Sequence, residues 1–201
     1  MPPQLHTVPS TPNYHDNVAS TFPRVRRTAG YDIDEVEDFL EDARRAYTGD
    51  RGSAQVVTAA SIRQMGFTMR KNGYAPAAVD AALERLEDAF AARERERAIA
   101  QAGDQGWYQQ ARSEAQELLD RCTRERGRRF KRVGILTGGY SVRDVDAFAD
   151  RVTRFLQQGT SLTADDVRSV VFAAQKGGYQ ETQVDVVLDS IIDLLLAVKT
   201  A

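Results

Sequence analysis

The sequence predicts an all-α fold of tandem helical-hairpin repeats: a short helix, a loop, a Gly-Tyr turn and a longer helix, packed as two two-unit modules. Two observations carry this prediction. A frame of Phe, a loop, Gly-Tyr, four residues, Val and then an acid occurs four times. After each Gly-Tyr, apolar residues recur at helical spacing. A frame that returns at intervals of tens of residues is the signature of a repeat architecture.

The copies read Phe22…Gly30-Tyr31…Val36-Glu37, Phe67…Gly73-Tyr74…Val79-Asp80, Phe130…Gly139-Tyr140…Val145-Asp146 and Phe172…Gly178-Tyr179…Val184-Asp185. Glycine before tyrosine supplies a positive-φ or closely approached position, so the chain can turn sharply into a helix.

Taken in order, residues 1–20 are rich in Pro, Ser, Thr and Asn without apolar period and read as a disordered tail. In the first unit Asp32 is a natural N-cap, with Glu35 completing a capping box. Val36, Phe39, Leu40, Ala43 and Tyr47 then share one helical face. Residues 48–54 read as a loop. Thr58 caps a short helix with Ile62 and Met65 on its apolar stripe. Pro76 suits a first helical position, and Val79, Leu83, Leu86 and Phe90 follow it. That helix is expected to run through the charged stretch Arg93 to Arg97, a solvent-exposed face, to about Ala102. The glycines of 103–106 break it. A connector helix from about Trp107 to Arg126 presents Ala111, Ala115, Leu118, Leu119 and Cys122, with Trp107 and Tyr108 as packing anchors. In the third unit Ser141 and Asp144 repeat the capping box, before Val145, Phe148, Val152 and Phe155. Thr163 caps the last short helix, which aligns with the one after Thr58 without a gap. The final helix carries Val184, Val187, Leu188, Ile191, Ile192, Leu195 and Val198.

The Phe-to-Gly loops alternate long, short, long, short. The division expected is therefore a tail over 1–20, a first two-unit module over 21–102, a connector over 103–127 and a second module over 128–201. With 42% hydrophobic and 28% charged residues and a net charge of −2, the composition is that of a soluble globular protein. No apolar run approaches a membrane span, and no signal peptide opens the chain. The single cysteine, Cys122, fits a reducing compartment.

The frame Phe…GYDIDEVEDFL and the stretch LTADDVRSVVF…GGYQETQVD resemble the N-terminal domain of the DivIVA family of bacterial cell-division and polar-growth scaffolds. The four copies resemble an actinobacterial DivIVA-domain repeat protein. Two features differ from that family. It carries a long coiled coil after a single domain, whereas this chain has four units and no sustained heptads, which argues against long filaments. A single chain would instead pair its own units where the family pairs two chains.

The resemblance implies that the two long loops are membrane-contacting tips. Their candidate residues are Phe22, Arg24, Val25, Arg26 and Arg27 in the first, and Arg129, Lys131, Arg132, Val133, Ile135 and Leu136 in the second. An equally available reading makes Val133, Ile135 and Leu136 core, folded beneath the helices. It makes Arg24 to Arg27 a solvated turn paired with the acids between Asp32 and Asp42. Tyr31 and Tyr140 are each expected to pack on their own helix, so that changing either to Ala destabilises the fold.

No enzyme is predicted, and no cofactor, metal or small-molecule substrate. Both histidines, His6 and His15, lie in the tail, and no nucleophile elbow, metal spacing or phosphate-cradling loop occurs. The basic run Arg121–Arg132 raises nucleic acid as a partner, but the chain is slightly acidic and offers no aromatic interleaving for stacking. The preferred expectation is a non-catalytic cytoplasmic scaffold or adaptor, peripheral at the inner face of the plasma membrane near septum or pole. Its partners would be proteins (cell-division or polar-growth proteins, or itself) and an anionic membrane. The alternative is a soluble helical adaptor with no membrane role.

Overall fold

Helices dominate the computed structural model, which describes residues 21–49 and 57–198. The expected tail, both histidines and most of the 48–54 loop lie outside those residues. The element order is β1 (Ala29–Tyr31), α1 (Ile33–Thr48), α2 (Ala59–Arg63), β2 (Met69–Lys71), α3 (Pro76–Cys122), β3 (Gly138–Tyr140), α4 (Val142–Gln158), α5 (Ala164–Arg168), β4 (Ala174–Lys176) and α6 (Glu181–Val198).

The chain forms two compact units, each discontinuous in sequence. One takes the described residues up to Glu41 together with Gly66–Ala82, and the other takes Asp42–Met65 and the chain from Leu83 onward.

The helices start where the side chains can satisfy their free N–H groups. Asp32 Oδ1 accepts from the N–H groups of Asp34 and Glu35, and Ser141 Oγ accepts from Asp144 N–H. Thr58 and Thr163 make full capping boxes with Ser61 and Asp166. The boxes expected at Asp32 and Ser141 form only their first half. Glu35 instead accepts from Thr68 N–H at 2.7 Å, and Asp144 from Ala173 N–H at 3.2 Å. Each of those donors directly follows a phenylalanine of the frame, so the acids tie the helix start to a second segment rather than to its own cap.

Gly103, at φ 72° and ψ 163°, interrupts α3. The break falls where the glycines predict one, but it is narrower than expected. Asp104 to Gly106 are helical, and the helix ends at Cys122 rather than Arg126. The charged stretch within α3 is only partly solvated. Arg93 lies over the Tyr47 ring, 4.9 Å from its centroid, and Glu94 Oε1 accepts from Ala59 N–H at 2.9 Å.

In the larger unit, Leu118 and Cys122 of α3 pack with Ala149 and Val152 of α4, Val167 of α5, and Ile191, Ile192 and Leu194–Leu196 of α6. A second cluster joins Phe130, Val145, Tyr179 and Val184. Burial of these apolar faces supplies the main drive for folding. Trp107 is half-buried and Tyr108 is 65% exposed, so the expected anchor role falls to Trp107 alone.

Candidate functional site

The Gly-Tyr pairs are not simple turns. Gly30-Tyr31 and Gly139-Tyr140 lie on short antiparallel ribbons, β1 with β2 (Gly30 opposite Arg70) and β3 with β4 (Gly139 opposite Gln175), and Tyr74 and Tyr179 bridge to Tyr31 and Tyr140 just beyond them. Tyr31 and Tyr74 exchange both backbone hydrogen bonds at 2.9 Å. Tyr140 and Tyr179 do the same, at 3.0 and 2.9 Å. A Cβ added at Gly30, Gly73, Gly139 or Gly178 would overlap the carbonyl oxygen of Tyr74, Tyr31, Tyr179 or Tyr140 respectively. Close backbone approach, not positive φ, is what these four glycines allow.

The tyrosine rings cross over as well, which corrects the expectation that each packs on its own helix. Tyr31 packs on Phe67 at 5.4 Å and Tyr74 on Phe22 at 5.3 Å. Tyr140 packs on Phe172 and Tyr179 on Phe130, both at 5.3 Å. Each hydroxyl then reaches an acid that follows a valine of the frame. Tyr74 donates to Glu37, and Tyr179 to Asp146 Oδ1 at 3.0 Å. The Asp80 and Asp185 carboxylates lie beside the Tyr31 and Tyr140 hydroxyls. Burial first, and the neighbouring carboxylate second, raise the Tyr31 and Tyr74 phenols above their ordinary value. Val36, Val79, Val145 and Val184 are all buried, and Val145 and Val184 pack in one cluster with Tyr179 and Phe130.

The second long loop leaves this framework as a tight tip. Val133 is half-buried and donates its N–H to Gly178 O at 2.9 Å. Thr137 N–H closes a turn on Gly134 O at 2.8 Å, and Gly177 N–H caps it on Thr137 O at 2.9 Å. Ile135 and Leu136 occupy the two middle positions of that turn, each 84% exposed. The reading that buries them beneath the helices is therefore overturned for this pair. Val171 is as exposed, at 87%, but stands singly.

Lys131 and Arg132 are exposed, and Arg132 Nε donates to Gly177 O at 2.8 Å, which holds its stem against the ribbon. Lys176, opposite Gly138 on β4, is a further exposed cation that the loop sequence alone did not single out. Arg129 is removed from the candidate surface. It is 5% exposed and its guanidinium donates to Asp146 O at 2.6 Å, Arg124 O at 3.0 Å and Asp150 Oδ1 at 2.6 Å. A buried guanidinium with these partners is an internal strut.

The first long loop is built differently. Arg24, Arg26 and Arg27 are exposed, but Phe22 and Val25 are half-buried. Phe22 lies edge-on to Tyr74, and Val25 donates its N–H to Gly73 O at 2.9 Å. Asp32 pairs with Arg70 rather than with the loop arginines. This loop offers cations to solvent while its apolar side chains are engaged internally.

Among the described residues, no helix is long and apolar enough to cross a membrane. No protein-family model, curated protein or solved structure matches the chain.

Proposed function

We propose that the chain is a non-catalytic, DivIVA-like scaffold or adaptor made of two two-unit modules, attached peripherally to the cytoplasmic face of an anionic membrane. One observation carries the membrane reading: two consecutive large apolar side chains stand free at the corner of a hydrogen-bonded turn, with Lys131, Arg132 and Lys176 as exposed cations on the same loop and ribbon. A rigid tip of this kind loses little entropy when it inserts. Partial burial of Ile135 and Leu136 contributes ~1–2 kcal/mol each. Each cation near an anionic leaflet adds about 1 kcal/mol. The total describes reversible attachment. The arginines of the first loop add charge without an inserting side chain.

The two-module reading is supported by the matched Gly-Tyr exchanges, in which rings, backbone and hydroxyls of two frames interlock. A unit of this kind cannot complete its own core, so pairing within one chain replaces pairing between chains. Division or polar growth is the process the DivIVA resemblance favours, with protein partners on the helix faces.

Co-sedimentation with anionic and neutral vesicles tests the membrane role. The wild-type chain should pellet with anionic vesicles at low salt and less at physiological salt. Ile135→Ser/Leu136→Ser should lose that binding while keeping its helical circular dichroism. Binding that survives the double substitution would place attachment elsewhere, and no binding at either salt would favour the soluble adaptor.

A further inference from the structure

Two arginines on the two short helices converge on one buried carboxylate. Arg63, at the end of α2, donates through Nε to Glu87 Oε1 at 2.7 Å and pairs with Asp193 Oδ1 at 2.7 Å. Arg168, at the end of α5, pairs with Glu87 Oε2 at 2.8 Å and with Asp88 Oδ1 at 3.0 Å. The Glu87 side chain is 3% exposed and both arginine side chains are 11% exposed. Burial opposes both charges, but the surrounding carboxylates outweigh it and hold both guanidinium pKa values above normal.

The frame that lays Thr58 on Thr163 and Gly73-Tyr74 on Gly178-Tyr179 also lays Arg63 on Arg168 and Asp88 on Asp193. The pairs Arg63–Asp193 and Arg168–Asp88 are thus the same contact made in opposite directions. The match breaks at the rim, where Arg168 pairs with Asp165 and Arg63 with Asp189, and at the buried centre. Glu87 falls on Ile192, which is 4% exposed in the apolar core. The consequence is visible at Arg168, whose Nε is buried without a hydrogen-bond partner. The equivalent Nε of Arg63 has Glu87.

We propose that Arg63, Glu87 and Arg168 form a pairing code that joins the α2/α3 half of this interface to the unlike α5/α6 half and disfavours like with like. Two α2/α3 halves would bring two buried glutamates to the axis. Two α5/α6 halves would bring two buried arginines and no glutamate. The first sets two buried glutamates, with Asp88 from each half, against two guanidinium groups. The second keeps an aspartate at the Asp88 position for each arginine but removes the buried glutamate that both share here, and loss of one partner of a buried pair is strongly destabilising. Discrimination therefore comes from the penalties on wrong pairings as much as from the contacts in the right one. The interface closes within one chain, and a second copy can enter it only by reciprocal exchange of unlike halves.

This proposal rests on the two-module reading but not on the membrane role, and vesicle binding and the following test fail independently. Urea unfolding of the full chain is measured for four sequences: wild type, Glu87→Ile, Ile192→Glu, and the double exchange. Ile192→Glu recreates the axis of two α2/α3 halves, and Glu87→Ile that of two α5/α6 halves. Each single variant should lose roughly 1 M or more in urea midpoint. The double exchange should recover most of the loss, because the one carboxylate then serves the same two arginines from the other side. Single variants that do not fold, alongside a double exchange that does, support the code equally. A single variant as stable as wild type would overturn the code. So would a double exchange no better than the worse single variant, or one that does not fold.

Discussion

Gly139 has no room for a side chain, while Gly138 beside it has open space around its Cβ position. Gly139→Ala would drive a methyl group into the Tyr179 carbonyl and should cost about 1–3 kcal/mol, whereas Gly138→Ala should fall within about 0.5 kcal/mol of wild type. Chemical denaturation of both variants measures the contrast. The tyrosine hydroxyls give a pH signature. Burial, then the Asp146 carboxylate, raises Tyr179 despite the opposing Arg129 N–H, so its neutral form is the one that the fold holds. Stability from Tyr179 is complete below the ordinary phenol pKa of about 10. It is lost as pH rises through the higher folded value. Tyr179→Phe should therefore destabilise the chain by about 1–3 kcal/mol at neutral pH and shrink its alkaline loss, read by unfolding at neutral and alkaline pH. The crossing of these rings was not legible in the sequence, because periodicity marks a buried face and not the segment that covers it. The same limit applies to Arg129. It is one of five basic residues from Arg126 to Arg132, and only Asp146 and Asp150, brought in by the fold, separate it from exposed Lys131.

Among the elements, helix starts were the most legible because capping is local chemistry. Thr58 and Thr163 are the N-caps their sequences announce, and each goes further to a full capping box with Ser61 or Asp166. Thr163→Ala should cost about 0.5–2 kcal/mol, measurable as a lower thermal midpoint, through loss of its bond from Asp166 N–H at 3.1 Å. The acids at Glu35 and Asp144 read as box members too, yet bond to Thr68 and Ala173 across the fold. A local motif cannot reveal that a distant N–H competes for the same carboxylate. The four short strands were missed because each has only three residues, too few to show an alternating pattern. One trace of them was present. Asn72 and Gly177 precede glycine in matching places and both hold left-handed backbone, at φ 60° and 64°, a conformation that asparagine and glycine tolerate best.

For the molecule as a whole, the two long loops look alike in composition and differ in what they expose. The first shows arginines over engaged apolar residues, and the second shows Ile135 and Leu136. In sequence the two loops carry equal weight, since a run of basic and apolar residues does not say which side chains the turn presents. Insertion of the second tip is the central claim. Leu136→Cys, labelled with an environment-sensitive fluorophore, tests it in the intact chain. The native Cys122 is buried with its thiol pushed up to about 11, so at neutral pH the new thiolate is the one that reacts. Binding of this tip to the membrane predicts a blue-shifted, brighter emission with anionic vesicles and none with neutral ones. Emission unchanged on both would contradict it.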